Sequence, residues 1–236
     1  MTNGCTEVDS EATAPAVGHR LDRGVRGRAP YMTVLADPPW AQTMTGGYKI
    51  RPGRERRLPY GTMTLGDIKA LPVGELAGEG AHLWLWTTNE YLRAGFDVME
   101  AWGFTYLAPV HWLKPSGLGN WFIHRTQTLL FGYKSRCVFP RARYVANVLV
   151  TGNPTEHSVK PEESYRYIEA ISPGPRLELF ARPVMPLFPK RAGWDVWGNE
   201  VECDVDLKAP NAEFSGAALD RRTNHVFELQ KTERSV

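Results

Sequence analysis

Cysteine is scarce in this chain: Cys5, Cys137 and Cys203 are the only ones among 236 residues. Three is an odd number, and no two lie at a ligand-like spacing. That excludes a disulfide framework and a paired-cysteine zinc site, so no metal is expected; a reducing, cytoplasmic setting suits such a chain. No apolar run approaches the ~20 residues needed to cross a bilayer, so no membrane contact is expected. The N-terminus lacks the charged-then-apolar layout of a secretory leader, and nothing in it argues for export. Nor is there an excess of one charge. With 28 basic and 26 acidic residues the net charge is +2, and bulk electrostatics say little about partners. Internal repeats are absent, and so is a glycine-rich phosphate loop. What remains, at 42% hydrophobic and 23% charged, is the composition of an ordinary globular α/β protein.

Residues 1–28 have small and charged residues without hydrophobic period and are expected to be a flexible lead-in. From residue 31, apolar and β-branched runs recur at 32–36, 81–87, 106–113, 126–133, 144–150, 176–181 and 194–197. Several are apolar almost throughout, as strands buried on both faces are. Helical segments are expected at about 64–76, 90–102 and 160–172. Thr64 with Asp67 three residues on approximates a capping box, Pro161 opens the third segment, and "SPGP" at 172–175 stops it. Alternation of strands and helices implies one mostly parallel sheet flanked by helices. Residues 202–236 lose the pattern; "AEFSGAALDRR" reads as a short helix and the rest as loosely attached. The expected organisation is therefore a lead-in over 1–28, a catalytic domain over 29–201 and an extension over 202–236.

The stretch that carries chemistry is "ADPPW", residues 36–40, at the end of the first strong strand. In a parallel α/β sheet the ligand crevice lies beyond the carboxyl ends of the strands. Pro38 and Pro39 fix φ and offer no N–H, so the turn presents acceptors and few donors. Asp37 adds a carboxylate and Trp40 a flat indole face. The bland reading is a strand terminator with a core tryptophan. The chemical reading is a socket for a planar ring bearing an amine: the ring stacks on Trp40 while the N–H bonds meet Asp37 and a proline carbonyl. An exocyclic nucleobase amine fits. Held from one side, its lone pair is freed toward an electrophile, and Asp37 stabilises the positive charge that develops. A sulfonium methyl donor needs no metal, so positioning supplies most of the acceleration.

ADPPW is followed in order by "LPYGTM" (58–63), "LWLWTTN" (83–89), "GNWFIHRTQTLLFGYK" (119–134), "EHSVKPEESYRYIE" (156–169), "SPGPRLELFARP" (172–183) and "GWDVWGNE" (193–200). Over residues 31–201 the chain resembles the MT-A70-like family of S-adenosylmethionine-dependent adenine methyltransferases. The resemblance implies a Rossmann-like class I methyltransferase fold with permuted motif order, in which the catalytic tetrapeptide precedes the strand bearing the main cofactor loop.

The resemblance makes Asp37, Pro38, Pro39 and Trp40 the catalytic tetrapeptide. It assigns Lys160 to the cofactor's carboxylate, a suitable job for a point charge. It places the turn of Phe180 and Arg182 beneath S-adenosyl-L-methionine, with Asp37 also among the cofactor residues. Asn199 and Glu200, at the end of the last strand, suit the ribose hydroxyls. Val184 and Met185 stand where the family often has His-Asn and offer no polar side chain there, and no adenine-binding residue is assigned. Substrate contacts are expected from Tyr60, from the basic run Lys49, Arg54, Arg56 and Arg57, and from Lys114, Asn120, Trp121, His124 and Arg125. Basic residues mixed with aromatics suit a nucleic-acid strand. The base must be extruded or unpaired to be reached. The compact layout inclines the reading to DNA, with RNA as the alternative substrate. A non-catalytic nucleic-acid-binding subunit and a methyltransferase for a nucleobase-containing metabolite are the readings from other classes. A homodimer or a partner subunit is the association left open.

Overall fold

The computed structural model describes residues 25–26, 30–40, 62–118, 121–139, 145–151, 160–183 and 190–207. Its elements are β1 (Val25–Arg26), β2 (Tyr31–Ala36), α1 (Leu65–Ala70), α2 (Val73–Leu76), β3 (Ala77–Thr87), α3 (Leu92–Ala101), β4 (Thr105–Leu118), β5 (His124–Tyr133), β6 (Val148–Val150), α4 (Glu162–Ile171), β7 (Arg176–Leu179), β8 (Trp194–Trp197) and β9 (Asp206–Leu207). Each expected strand is present. The short helix expected from "AEFSGAALDRR" lies outside the described residues.

Local chemistry sets the helix ends. The Thr64 hydroxyl accepts the Asp67 N–H at 3.1 Å, capping α1. The expected helix over 64–76 is two helices because Pro72 interrupts it. A proline disfavours helical backbone at the residue before it, and Leu71 is extended. Helix α4 opens after Pro161, whose carbonyl accepts from the Ser164 hydroxyl at 2.6 Å, and closes at an extended Ser172.

Seven strands form one sheet in the order β6-β4-β5-β3-β2-β7-β8. Strand β2 is parallel to β3 and β7, β7 to β8, and β4 to β6. Strand β5 runs antiparallel to both β3 and β4. Only a short connection joins β4 to β5, too short for the crossover that parallel pairing requires. The sheet is thus mixed, with its parallel half at β3-β2-β7-β8.

Along β3 the side chains alternate between faces. Leu83 and Leu85 join Ile68, Val73, Val98 and Met99 of α1, α2 and α3 in one core. Trp84 and Trp86 join Ile168 and Ile171 of α4 in the other. Both faces are therefore covered. Val205 and Leu207, which the sequence reading assigns to a loose extension, are buried in the first core, and β9 pairs with β1. Their apolar side chains are too few and too short-ranged to show a period. Among the described residues, no helix is long and apolar enough to cross a membrane.

The register decides where chemistry can occur. Ala36 pairs with both Leu85 and Leu179, and Leu179 pairs with Trp197. Strands β2, β7 and β8 therefore end level, and β3 runs two residues further, at one edge of the sheet.

Candidate active site at the carboxyl edge of the sheet

Asp37 is the first residue past β2 at this edge. The turn that follows is tied down through both proline carbonyls. Pro38 O accepts the Trp40 N–H at 2.8 Å, and Pro39 O accepts the Met63 N–H at 3.0 Å. Each carbonyl keeps a second lone pair, so the corner remains an acceptor but not an empty one.

The Lys160 ammonium donates to the Asp37 carboxylate. The Lys160 side chain is 8% exposed and that of Asp37 29%. An ammonium this enclosed needs compensation: the Asp37 carboxylate faces it, and the Trp86 ring lies 5.5 Å from its Nζ. Lys160 was expected to await the cofactor's carboxylate; here it meets the Asp37 carboxylate first.

Trp40 departs from expectation. Its indole is 7% exposed, its N–H donates to the Trp86 carbonyl at 3.2 Å, and its face stacks on Tyr91 with centroids 5.1 Å apart and planes 16° from parallel. The indole is a buttress fixed at two points, not an open platform. An aromatic ring next to apolar Met63 and Leu85 gains more from burial than from waiting in water. Tyr91 takes the face that the sequence reading reserved for a base.

Beyond β7 and β8 the chain turns sharply. Phe180 has φ of 62° and packs edge-on against Trp197 at 5.4 Å. The Ala181 N–H donates to Trp197 O at 3.0 Å, and a Cβ on Gly198 would stand 2.4 Å from Ala181 O. Only glycine lets the two strand ends approach so closely. Arg182 lies 3.9 Å from Glu200, and Asn199 is exposed beside it. Phe180, Arg182, Asn199 and Glu200 thus share the edge that holds Asp37 and Lys160.

Behind them lies a partly buried acid. Glu178 accepts the Tyr165 hydroxyl at 2.7 Å, while Arg191 stacks on the Tyr165 ring at 3.9 Å and forms a two-point ion pair with Glu162. Burial pushes the Glu178 carboxyl up and the Tyr165 hydroxyl well up.

The β4–β5 hairpin supplies the remaining substrate candidates. Lys114 Nζ lies 5.3 Å from the Trp112 ring, and burial, helped by the Lys160 charge, lowers its ammonium pKa. Arg125 Nε donates to Lys114 O at 3.0 Å. His124 Nδ1 accepts from Asn89 at 2.8 Å. Trp121 is 95% exposed. Tyr60, Lys49, Arg54, Arg56, Arg57 and Asn120 lie outside the described residues.

Sequence reasoning missed Tyr91, Trp86, Asn89 and Glu178. Asn89 had a faint signal as the polar end of a buried strand. Trp86 and Tyr91 had none, since contacts through a carbonyl and a ring face leave no spacing to read.

Residues 31–200 match the MT-A70 family profile. The chain belongs to the MT-A70 family. It is 31% identical over 195 residues to the Drosophila melanogaster "N(6)-adenosine-methyltransferase MT-A70-like protein", covering 77% of this chain and 28% of that one. Against the human "N(6)-adenosine-methyltransferase catalytic subunit METTL3" the identity is 30%, covering 77% and 30%. Against the human "N(6)-adenine-specific methyltransferase METTL4" it is 27%, covering 74% and 38%. The chain spans about a third of the length of these relatives. MT-A70 methyltransferases use S-adenosylmethionine as methyl donor. The donor set at the edge fits that zwitterion and its ribose: an ammonium at Lys160, carboxylates at Asp37 and Glu200, an amide at Asn199 and a guanidinium at Arg182.

Proposed function

We propose that this MT-A70 chain transfers a methyl group to the exocyclic N6 amine of adenine in a nucleic-acid strand. One observation carries the reading: a carboxylate and a buried ammonium meet at a donor-poor proline corner, at the carboxyl edge of four parallel strands. Bound S-adenosylmethionine supplies a methyl carbon activated by a sulfonium. Lys160, Arg182, Asn199 and Glu200 hold that donor, with the turn of Phe180 beneath it. Asp37 and the free lone pair of a proline carbonyl accept the two amine N–H bonds, turning the nitrogen lone pair toward the methyl carbon. The donor's sulfur would serve as leaving group, keeping the C–S electron pair as the N–C bond is made. Asp37 stabilises the charge developing on nitrogen, and the surplus N–H proton leaves through the solvent-facing side of its carboxylate. Pro38 and Pro39 keep the acceptors fixed, and Trp40 holds the turn from behind rather than stacking on the base.

Residues 29–201 are the unit to which we assign this activity. The name of human METTL4, which specifies adenine rather than adenosine, is the ground for DNA as substrate. The names of the Drosophila relative and of human METTL3, which specify adenosine, support the same reaction on RNA as the second reading. The word subunit in the second name supports assembly with another chain, or with a copy of this one. The test is mass spectrometry of nucleosides recovered from matched DNA and RNA oligonucleotides after incubation with the protein and a labelled methyl donor. N6-methyladenine in DNA alone, in RNA alone or in both selects among the substrates. A label on neither leaves the passive nucleic-acid-binding subunit as the better account.

A further inference from the structure

The β4–β5 hairpin stands out from the rest of the sheet. Strand β5 pairs with β3 only from Tyr133 to Thr128, where β3 ends at Thr87. Four further residues, His124–Gln127, continue past that end with β4 as partner. At ~3.4 Å per residue the stem overhangs the sheet by about 14 Å. It does so at the carboxyl edge of β3, the edge that bears Asp37 and Lys160. Asn89, two residues past β3, anchors the stem through His124.

At the end of this overhang sit three consecutive apolar side chains: Trp121, Phe122 and Ile123, which are 95%, 77% and 63% exposed. Such a run at a loop tip is unusual for a surface with nothing to bind. The other seven tryptophans are buried. Charge says what the tip faces. From Ala101 to Thr155 the sequence contains Lys114, Arg125, Lys134, Arg136, Arg141 and Arg143 but not one Asp or Glu, although the whole chain has 26 acids. Two of these cations flank the tip: Lys114, charge-coupled to Lys160 in the site, and Arg125, tethered to the Lys114 carbonyl.

We infer that Trp121, Phe122 and Ile123 form a stacking finger for the unpaired nucleobases next to the target adenine, while Lys114 and Arg125 take the adjoining phosphates. The inference rests on the reading of the proline corner as adenine-directed, and it adds that the strand must be single-stranded or locally opened there. A paired base offers no face to the finger, whereas every unpaired base does, so contact is tolerant of sequence. The finger also replaces the stacking role that buried Trp40 cannot fill.

Because Trp121 alone among the tryptophans faces water, its fluorescence reports the finger directly. The probes are oligothymidylate and oligouridylate, which contain no adenine, each alone and annealed to a complement. The single strands are expected to quench the emission of the full chain, and the duplexes to do so far less. Trp121→Ala removes the quench and weakens single-strand binding, read by anisotropy of a labelled oligonucleotide, on the order of ten-fold. Trp121→Phe keeps the ring and restores binding while the quench stays absent. Equal binding of single strands by the wild type and Trp121→Ala overturns the inference. So does self-association, followed by sedimentation, that Trp121→Ala abolishes, since the tip is then a contact between copies or with a partner chain. The enzyme reading is judged separately: quenching without methyl transfer to any adenine-containing strand supports the finger and sinks the catalytic assignment.

Discussion

Lys160 and Asp37, 123 residues apart in sequence, form an ion pair in which the cation is the more deeply buried member. Two roles that sequence reading kept separate, gripping the cofactor and gripping the amine, are therefore joined. Removing one partner disturbs the other.

Asp37→Asn should lower kcat by at least ~10²-fold, since it deletes a prepared charge from the reacting centre. Asp37→Ala should also destabilise the fold by about 3 kcal/mol, because it leaves the Lys160 ammonium buried without a counter-charge. Adding Lys160→Met to Asp37→Ala should recover most of that stability and none of the activity. Denaturant melts of the wild type, Asp37→Ala, Lys160→Met and the double variant form the cycle; additive losses would mean the pair is not coupled.

Tyr91→Ala should cost about 1 kcal/mol beyond the lost buried area, as the ring stacked on Trp40 disappears. It should also lower activity, because the Trp40 indole behind the proline corner loses one of its two fixing contacts. Tyr91→Phe keeps the stack and should behave like the wild type. Thermal melts and initial rates, measured side by side, check both.

Gly198→Ala should destabilise by about 1–3 kcal/mol and weaken cofactor binding together. A Cβ there meets the Ala181 backbone, which cannot swing aside as a side chain can. The ends of β7 and β8 must part, moving Asn199 and Glu200 away from Phe180 and Arg182. Calorimetric titration with the methyl donor reads the second effect.

Stability should fall as pH drops below about 6.5. His82 is fully buried. Its Nε2–H donates to Val138 O at 2.8 Å, and its Nδ1 accepts the Ser172 hydroxyl at 2.8 Å, leaving the Ser172 oxygen for the Trp84 N–H at 2.9 Å. Burial lowers its pKa. The unfolded chain thus binds this proton at a higher pH than the folded one, and stability is lost as pH falls through the unfolded value. The slope of Tm between pH 7.5 and 5.5 should flatten in His82→Gln.

Much of the fold could be read from the chain because its strands are long apolar runs closed by proline, glycine and serine. "HLWLWT" and "YMTVLA" needed no tertiary information to be recognised as buried strands. The antiparallel insertion of β5 between β3 and β4 was not legible, since an apolar run has no direction. The position of Asp37, Phe180, Asn199 and Glu200 at one edge followed from the rule that ligands meet the carboxyl ends of parallel strands. Their partners did not. The Lys160–Asp37 contact, the stacking of Tyr91 on Trp40 and the Glu178–Tyr165 bond arise from packing across distant segments. A pattern within one segment does not record which side of a ring its neighbour will take.

The long separation between Asp37 and Lys160 bears on synthesis. A nascent chain displays the proline corner first; its counter-cation follows 123 residues later, and the strands β7 and β8 later still. Until they dock, the corner has neither its compensating charge nor a floor, so methyl-transfer competence should switch on late and all at once rather than growing with chain length.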